Sequence, residues 1–148
     1  MHAANVLSEF WRCRATWRRS AHNTKWCLVG CAFGDMATVF FFQSIEHGWT
    51  TVAVFALAMF NGLLTSVALE TFILRRGGMA LPAAFKTAMG MSFISMLAME
   101  TAMNLADFLI TGGARITPLS APVMLIAGFL APWPYNYWRL KKYGKACH

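Results

Sequence analysis

The chain has 148 residues, 57% of them hydrophobic and only 13% charged, with a net charge of +7, whereas soluble domains carry nearer a quarter charged residues. That balance excludes a water-soluble domain and places the chain in a bilayer. No aromatic-and-basic nucleic-acid module accompanies the positive charge, which therefore reads as membrane topology and lipid attraction rather than a nucleic-acid footprint.

Residues 1–25 include "SEFWRCRATWRRSAHNTK", which lacks the apolar core and small-residue cleavage site of a signal peptide and is expected to stay attached. Read as a helix, it sets Phe10, Trp11 and Trp17 beside Arg12, Arg14, Arg18 and Arg19, as in an interfacial segment lying on lipid. A disordered basic tail is the alternative. Four apolar spans follow, at about 26–44, 50–74, 83–110 and 119–138, each about the twenty residues that a helix needs to cross hydrocarbon. The expected fold is all-α: an integral membrane four-helix bundle over 26–148, preceded by the interfacial segment and ending in a basic tail.

The first span ends at "EHGW", a turn short enough to make the first two helices antiparallel neighbours. The second contains Asn61 and Glu70 and stops at "RRGG", where arginines favour the carboxyl end and glycines favour termination. Glu70 reads as an interfacial acid near Arg75, Arg76 and Lys86. Pro82 sits where a third helix begins, a position at which its missing donor is harmless. "TGGARITPLSAP" separates helices three and four, and Pro132 and Pro134 are expected to disturb the end of the fourth. Cations cluster in the amino-terminal segment, the second loop and the carboxyl end, while the other two loops hold only Arg115. Both termini are thus expected on the cytoplasmic side of a bacterial inner membrane, with Cys13, Cys27, Cys31 and Cys147 as thiols in a reducing compartment.

At about 100° per residue, Cys27, Cys31, Gly34 and Thr38 share one face of the first helix with Asp35 at its margin. Close helix packing accounts for the small residues and for buried cysteine. An ionisable Asp35 is harder to accommodate, since it costs about 2.5–3.5 kcal/mol within a span and calls for an interior partner. The third helix carries Met89, Met96, Glu100, Met103 and Asp107 on one arc, with Asn104 and Ser92 at its margins. A methionine stripe alone is more often packing. Two acids on the same face instead imply a counter-ion, a proton or a metal. The tail ends Cys147-His148, a thiol and an imidazole suited to Cu(I) or Zn(II), and thioethers favour Cu(I). The candidate metal ligands are therefore Cys27, Cys31, Met96, Met99, Met103, Cys147 and His148, with Asp35, Glu100, Asn104 and Asp107 as buried polar groups.

Three stretches, "CLVGCAFGD", "AMETAMNLAD" and "PYNYWRLKKYGKACH", together resemble an uncharacterised family of small bacterial multi-pass membrane proteins, a domain of unknown function. Its first helix carries Cys-x3-Cys-x2-Gly-Asp and its carboxyl end Gly-Lys-x-His. The resemblance runs from about Trp26 to the end and matches Cys27, Cys31, Gly34 and Asp35, then Met99, Glu100, Asn104 and Asp107, then Pro134, Asn136, Gly144, Lys145 and His148. Many members have His before the first cysteine, where this chain has Trp26. The family brings no established activity, only an association with copper proteins.

The expected function is the handling of a soft metal ion, Cu(I) binding or transfer. The alternatives are a non-catalytic accessory subunit of a larger membrane complex, and ion or proton conduction by a homo-oligomer. Catalysis is not expected, because phosphate loop, nucleophile elbow, zinc-protease helix and dinucleotide fingerprint are all missing.

Overall fold

The computed structural model describes residues 9–143, apart from the side chains at positions 91, 92 and 143. The all-α expectation holds: the described residues form five helices, α1 (Arg14–Ser44), α2 (Thr51–Arg76), α3 (Leu81–Thr111), α4 (Ser120–Leu130) and α5 (Trp133–Tyr143). Three are long and apolar enough to cross a membrane: α1, α2 and the Phe93–Thr111 part of α3. Their outward side chains are apolar, among them Phe33, Val52 and Leu109, as a lipid-facing surface requires.

The fourth expected span differs from a single helix. It consists of two helices of 11 residues each, α4 and α5, because Pro132 and Pro134 bring no N–H to the carbonyls of Gly128 and Leu130. The ladder resumes at once, with Asn136 N–H donating to the Pro132 carbonyl at 2.9 Å. The other boundaries follow local chemistry. Thr50 caps α2 by accepting from the Ala53 N–H at 3.3 Å. Gly112 ends α3 in the left-handed region, φ 76°, which glycine enters without a Cβ penalty. Thr117 and Ser120 cap each other reciprocally before α4, at 2.8 and 3.0 Å.

α1 begins at Arg14 rather than near Trp26, so residues 14–25 are the first turns of the same helix. What supports these polar turns is α5. Asn136 Nδ2 donates to Thr24 Oγ1 at 2.8 Å, and Trp133 Nε1 to Ser20 Oγ at 3.1 Å. Tyr137, fully buried, lies against Trp17 (4.1 Å between ring centroids) and stacks on Trp11 (5.0 Å). Its hydroxyl donates to the Phe10 carbonyl. The amino-terminal aromatic residues are thus packed onto the fifth helix.

The broadest helix–helix interface joins α1 and α2. Gly34 lies against the backbone of Asn61 and Gly30 against the Cα of Ser66, so the two helices are antiparallel and their backbones nearly touch. Polar side chains close the seam: Thr65 Oγ1 donates to the Gly30 carbonyl at 2.6 Å, Ser66 Oγ to the Cys27 carbonyl at 3.2 Å, and Asn61 Nδ2 to Thr38 Oγ1 at 2.9 Å. A Cβ at position 34 collides with the Asn61 carbonyl and the Thr65 hydroxyl, and backbone cannot yield as a flexible side chain does. Gly34→Val is expected to destabilise the protein by about 1–3 kcal/mol, read as a lower unfolding midpoint in detergent, while the same change at open Gly90 leaves the midpoint nearly in place.

Candidate functional site

Four side chains on α1 and α3 meet in the interior. Asp35 and Glu100 are both fully buried, as is Cys31, and Asn104 is 6% exposed. Asn104 Nδ2 donates to Asp35 Oδ2 at 2.6 Å and to the Glu100 carbonyl at 2.9 Å. The Asp35 carboxyl faces that of Glu100, and Glu100 in turn faces the Cys31 thiol. Among the described residues, no hydrogen bond reaches either Glu100 oxygen, Asp35 Oδ1 or Asn104 Oδ1. Among the described residues no Lys or Arg pairs with either acid. Two carboxyl groups held this way in a dry interior need a positive charge between or beside them, a proton or a metal ion.

The room for Glu100 comes from Gly62 on α2, where any Cβ would collide with the Glu100 carboxylate. Reading the sequence did not single out Gly62.

A sulfur-rich cluster adjoins the acids. Cys27, Cys31, Met96, Met99, Met103 and Met124 belong to one buried core cluster, completed by Val67 and Ala88. Met124 comes from α4 and was missed, because a methionine in an uninterrupted apolar run carries no periodic signal. Met103, on α3, rests on Gly128 of α4. Met89 stands apart at 38% exposure, although it shares the Met96–Met103 arc. Cys13, Cys27 and Cys31 take part in no disulfide among the described residues. Among the described residues, His, Cys, Asp and Glu nowhere gather in a group of three able to hold a metal ion, so a metal here must draw on the thioethers. Cys147 and His148 lie outside the described residues.

Asp107 is buried on the same face of α3 but serves another end of the molecule. Its Oδ2 accepts from the Arg115 N–H at 2.9 Å, and its Oδ1 from the Thr111 hydroxyl at 3.4 Å, which anchors the loop after α3. Gln43 fastens the same loop to α1 through both atoms of Ile116's peptide backbone, at 2.8 and 3.1 Å. Glu70 is buried beside Trp26, Cys27, Leu69 and Ile73.

Cys13, at the start of α1, has a different environment from the two interior thiols. The Thr16 hydroxyl donates to its sulfur at 3.1 Å, which together with the neighbouring backbone N–H groups and the charge of Lys141 holds the thiol below its ordinary value. A lowered value means thiolate persists to lower pH. Among the described cysteines, alkylation of the native protein is therefore expected at Cys13 first, with a pH midpoint below that of an ordinary thiol and moved upward in Thr16→Ala. Cys27 and Cys31 should label only on unfolding, and mass spectrometry of the labelled protein reports all three. For the interior acids, Asn104→Leu removes Asp35's donor and is expected to cost about 1–3 kcal/mol. Adding Asp35→Asn should recover most of that loss in the same denaturation measurement.

Comparison with known proteins agrees with an uncharacterised family. No curated protein and no solved structure matches the chain. A family model described as a domain of unknown function, DUF4396, matches residues 16–145, which span the acid pair, the sulfur cluster and both helices of the broken fourth segment; the chain belongs to that family.

Proposed function

We propose that this is a multi-pass protein of the bacterial cytoplasmic membrane that binds the soft monovalent cation Cu(I) where the Asp35–Glu100 pair meets the sulfur cluster. α4 and α5 together make a bent fourth crossing, and both termini face the cytoplasm. One observation carries the reading: a buried carboxyl pair with no basic partner among the described residues touches, through Cys31, a cluster of two thiols and four thioethers. The carboxyl groups call for positive charge, and the sulfur atoms select among cations. Hard ions such as Na⁺ or Mg²⁺ gain little from thioethers, whereas Cu(I) prefers thiolate and thioether ligands. In this reading Cys31 is the interior ligand with Met99 and Met103, and Cys27, one turn nearer the cytoplasm, is the next sulfur along α1. The tail pair Cys147-His148 adds a ligand on the cytoplasmic side. Thiolate coordination releases the thiol proton, so loading weakens as pH falls.

The test is anaerobic titration of the purified, reduced protein with Cu(I) against a chromophoric chelator. The wild-type chain is expected to compete stoichiometrically for Cu(I), and Cys27→Ser/Cys31→Ser to bind at least about tenfold more weakly, roughly 1.4 kcal/mol. Met99→Leu/Met103→Leu should have a smaller effect. Copper retained unchanged by the double cysteine variant overturns the reading. The same carboxyl groups would then point to proton or ion conduction by an oligomer, which liposome flux unaltered by Glu100→Gln would in turn exclude.

A further inference from the structure

The outward face of α1 changes character along its length. At about 100° per residue, Arg14, Arg18, His22 and Lys25 fall in the same arc, roughly 100° wide, as Val29, Phe33 and Phe40. All seven are exposed. The change from basic to apolar occurs within one turn, and Trp26 stands at the boundary. Its indole N–H donates to His22 Nε2 at 3.2 Å, and the Lys25 ammonium lies 5.7 Å from its ring centroid. Tryptophan in that position marks headgroup depth.

Directly below the basic stripe, on the same face, lies an apolar groove of about 680 Å³ between α1 and the α4 side of the bundle. Leu28, Ala32, Met36 and Phe40 form one wall, and Ile116 and Leu125 contribute the other. Ala32 and Ala37 leave the depth. From Leu28 to Phe40 the groove follows α1 for about 18 Å, comparable with one leaflet's share of a hydrocarbon core about 30 Å thick. Its upper end begins one turn below Lys25.

A cationic rim set one turn above an elongated apolar slot is complementary to a single class of molecule. We infer that this face of α1 is a binding site for an anionic phospholipid, with the phosphate held by Arg18 and Lys25 and one acyl chain in the groove between α1 and α4. Arg14 extends the basic stripe beyond the phosphate, and His22 lies between Arg18 and Lys25. A zwitterionic lipid offers the same chain with no net charge to the rim. A detergent or a second copy of this chain offers apolar contact without the phosphate.

Native mass spectrometry of the full chain tests the site, after delipidation and re-addition of phosphatidylglycerol or phosphatidylcholine with identical acyl chains. The wild-type protein is expected to retain phosphatidylglycerol in preference to phosphatidylcholine. Arg18→Gln/Lys25→Gln should reduce that preference roughly tenfold or more, given the attraction of each cation near a charged surface. Arg75→Gln/Arg76→Gln, which removes two exposed cations at the end of α2, should leave the preference intact. Ala32→Phe, which fills the groove, should remove retention of both lipids while the protein's unfolding midpoint stays near wild type. Equal retention of the two lipids by wild type overturns the inference. So does a preference unchanged by Arg18→Gln/Lys25→Gln, a loss equally large in Arg75→Gln/Arg76→Gln, or dimerisation through this face, seen as rapid cross-linking of Phe33→Cys in protein supplied with phosphatidylglycerol.

Discussion

The near-contact of the α1 and α2 backbones governs the interior. It depends on Gly30 and Gly34, where the neighbouring residues of α2 occupy the volume a side chain would need. In hydrocarbon the aqueous hydrophobic driving force between helices is missing, so van der Waals contact and interhelical hydrogen bonds must supply the cohesion. The donations of Thr65 and Ser66 to backbone carbonyls of α1 form only at this separation. The same closeness draws α3 inward, since Gly62, on α2, receives the Glu100 carboxylate. Glycine therefore does two tasks on the second helix's neighbourhood: it lets α1 approach and gives an acid somewhere to sit.

From that packing follows the chemical character of the centre. A carboxyl group with no donor would ordinarily be drawn to solvent or to a cation, yet α2 closes over Glu100 and α1 presents Asp35 and Cys31 to it. Asn104 orients the pair by fixing one Asp35 oxygen and leaves its own carbonyl oxygen unpartnered beside them. Oxygen acceptors thus outnumber donors there, and sulfur borders them. That imbalance is the physical basis of the copper reading, in which charge and softness act on one ion.

Much of this arrangement was legible from helical periodicity. The polar faces of α1 and α3 were visible because residues spaced three and four apart fall together, and Asp35, Glu100 and Asn104 do converge. Asp107 shares the arc of Glu100 but not its height in the bundle, and periodicity reports angle without saying what lies opposite at each level. Its carboxylate meets the Arg115 N–H and the Thr111 hydroxyl instead of acids. Hydropathy also hid the start of α1. Its first turns are polar, and their support comes from Asn136, Trp133 and Tyr137, more than a hundred residues distant in sequence. The prolines of the fourth segment did signal a disturbance, and the break lies where they stand. Met124 and Gly62 were invisible for a common reason: both matter through what another helix places against them.

The orientation of the helices bears on the electric field at the basic end. α2 and α5 terminate there with their carbonyl poles, and each carries two cations in its last turn, Arg75 with Arg76 and Lys141 with Lys142. A helix carboxyl terminus resembles about half a negative charge, so the peptide dipoles beneath these four side chains offset part of their charge. α1 presents its amino pole at the same end, with positive sign, and it has no acidic residue in its first turn. α3 also begins at this end without an acid in its first turn, so the positive potential reaching into water from that surface is greatest over the amino ends of α1 and α3, a lopsided distribution that a count of lysines and arginines would describe as uniform.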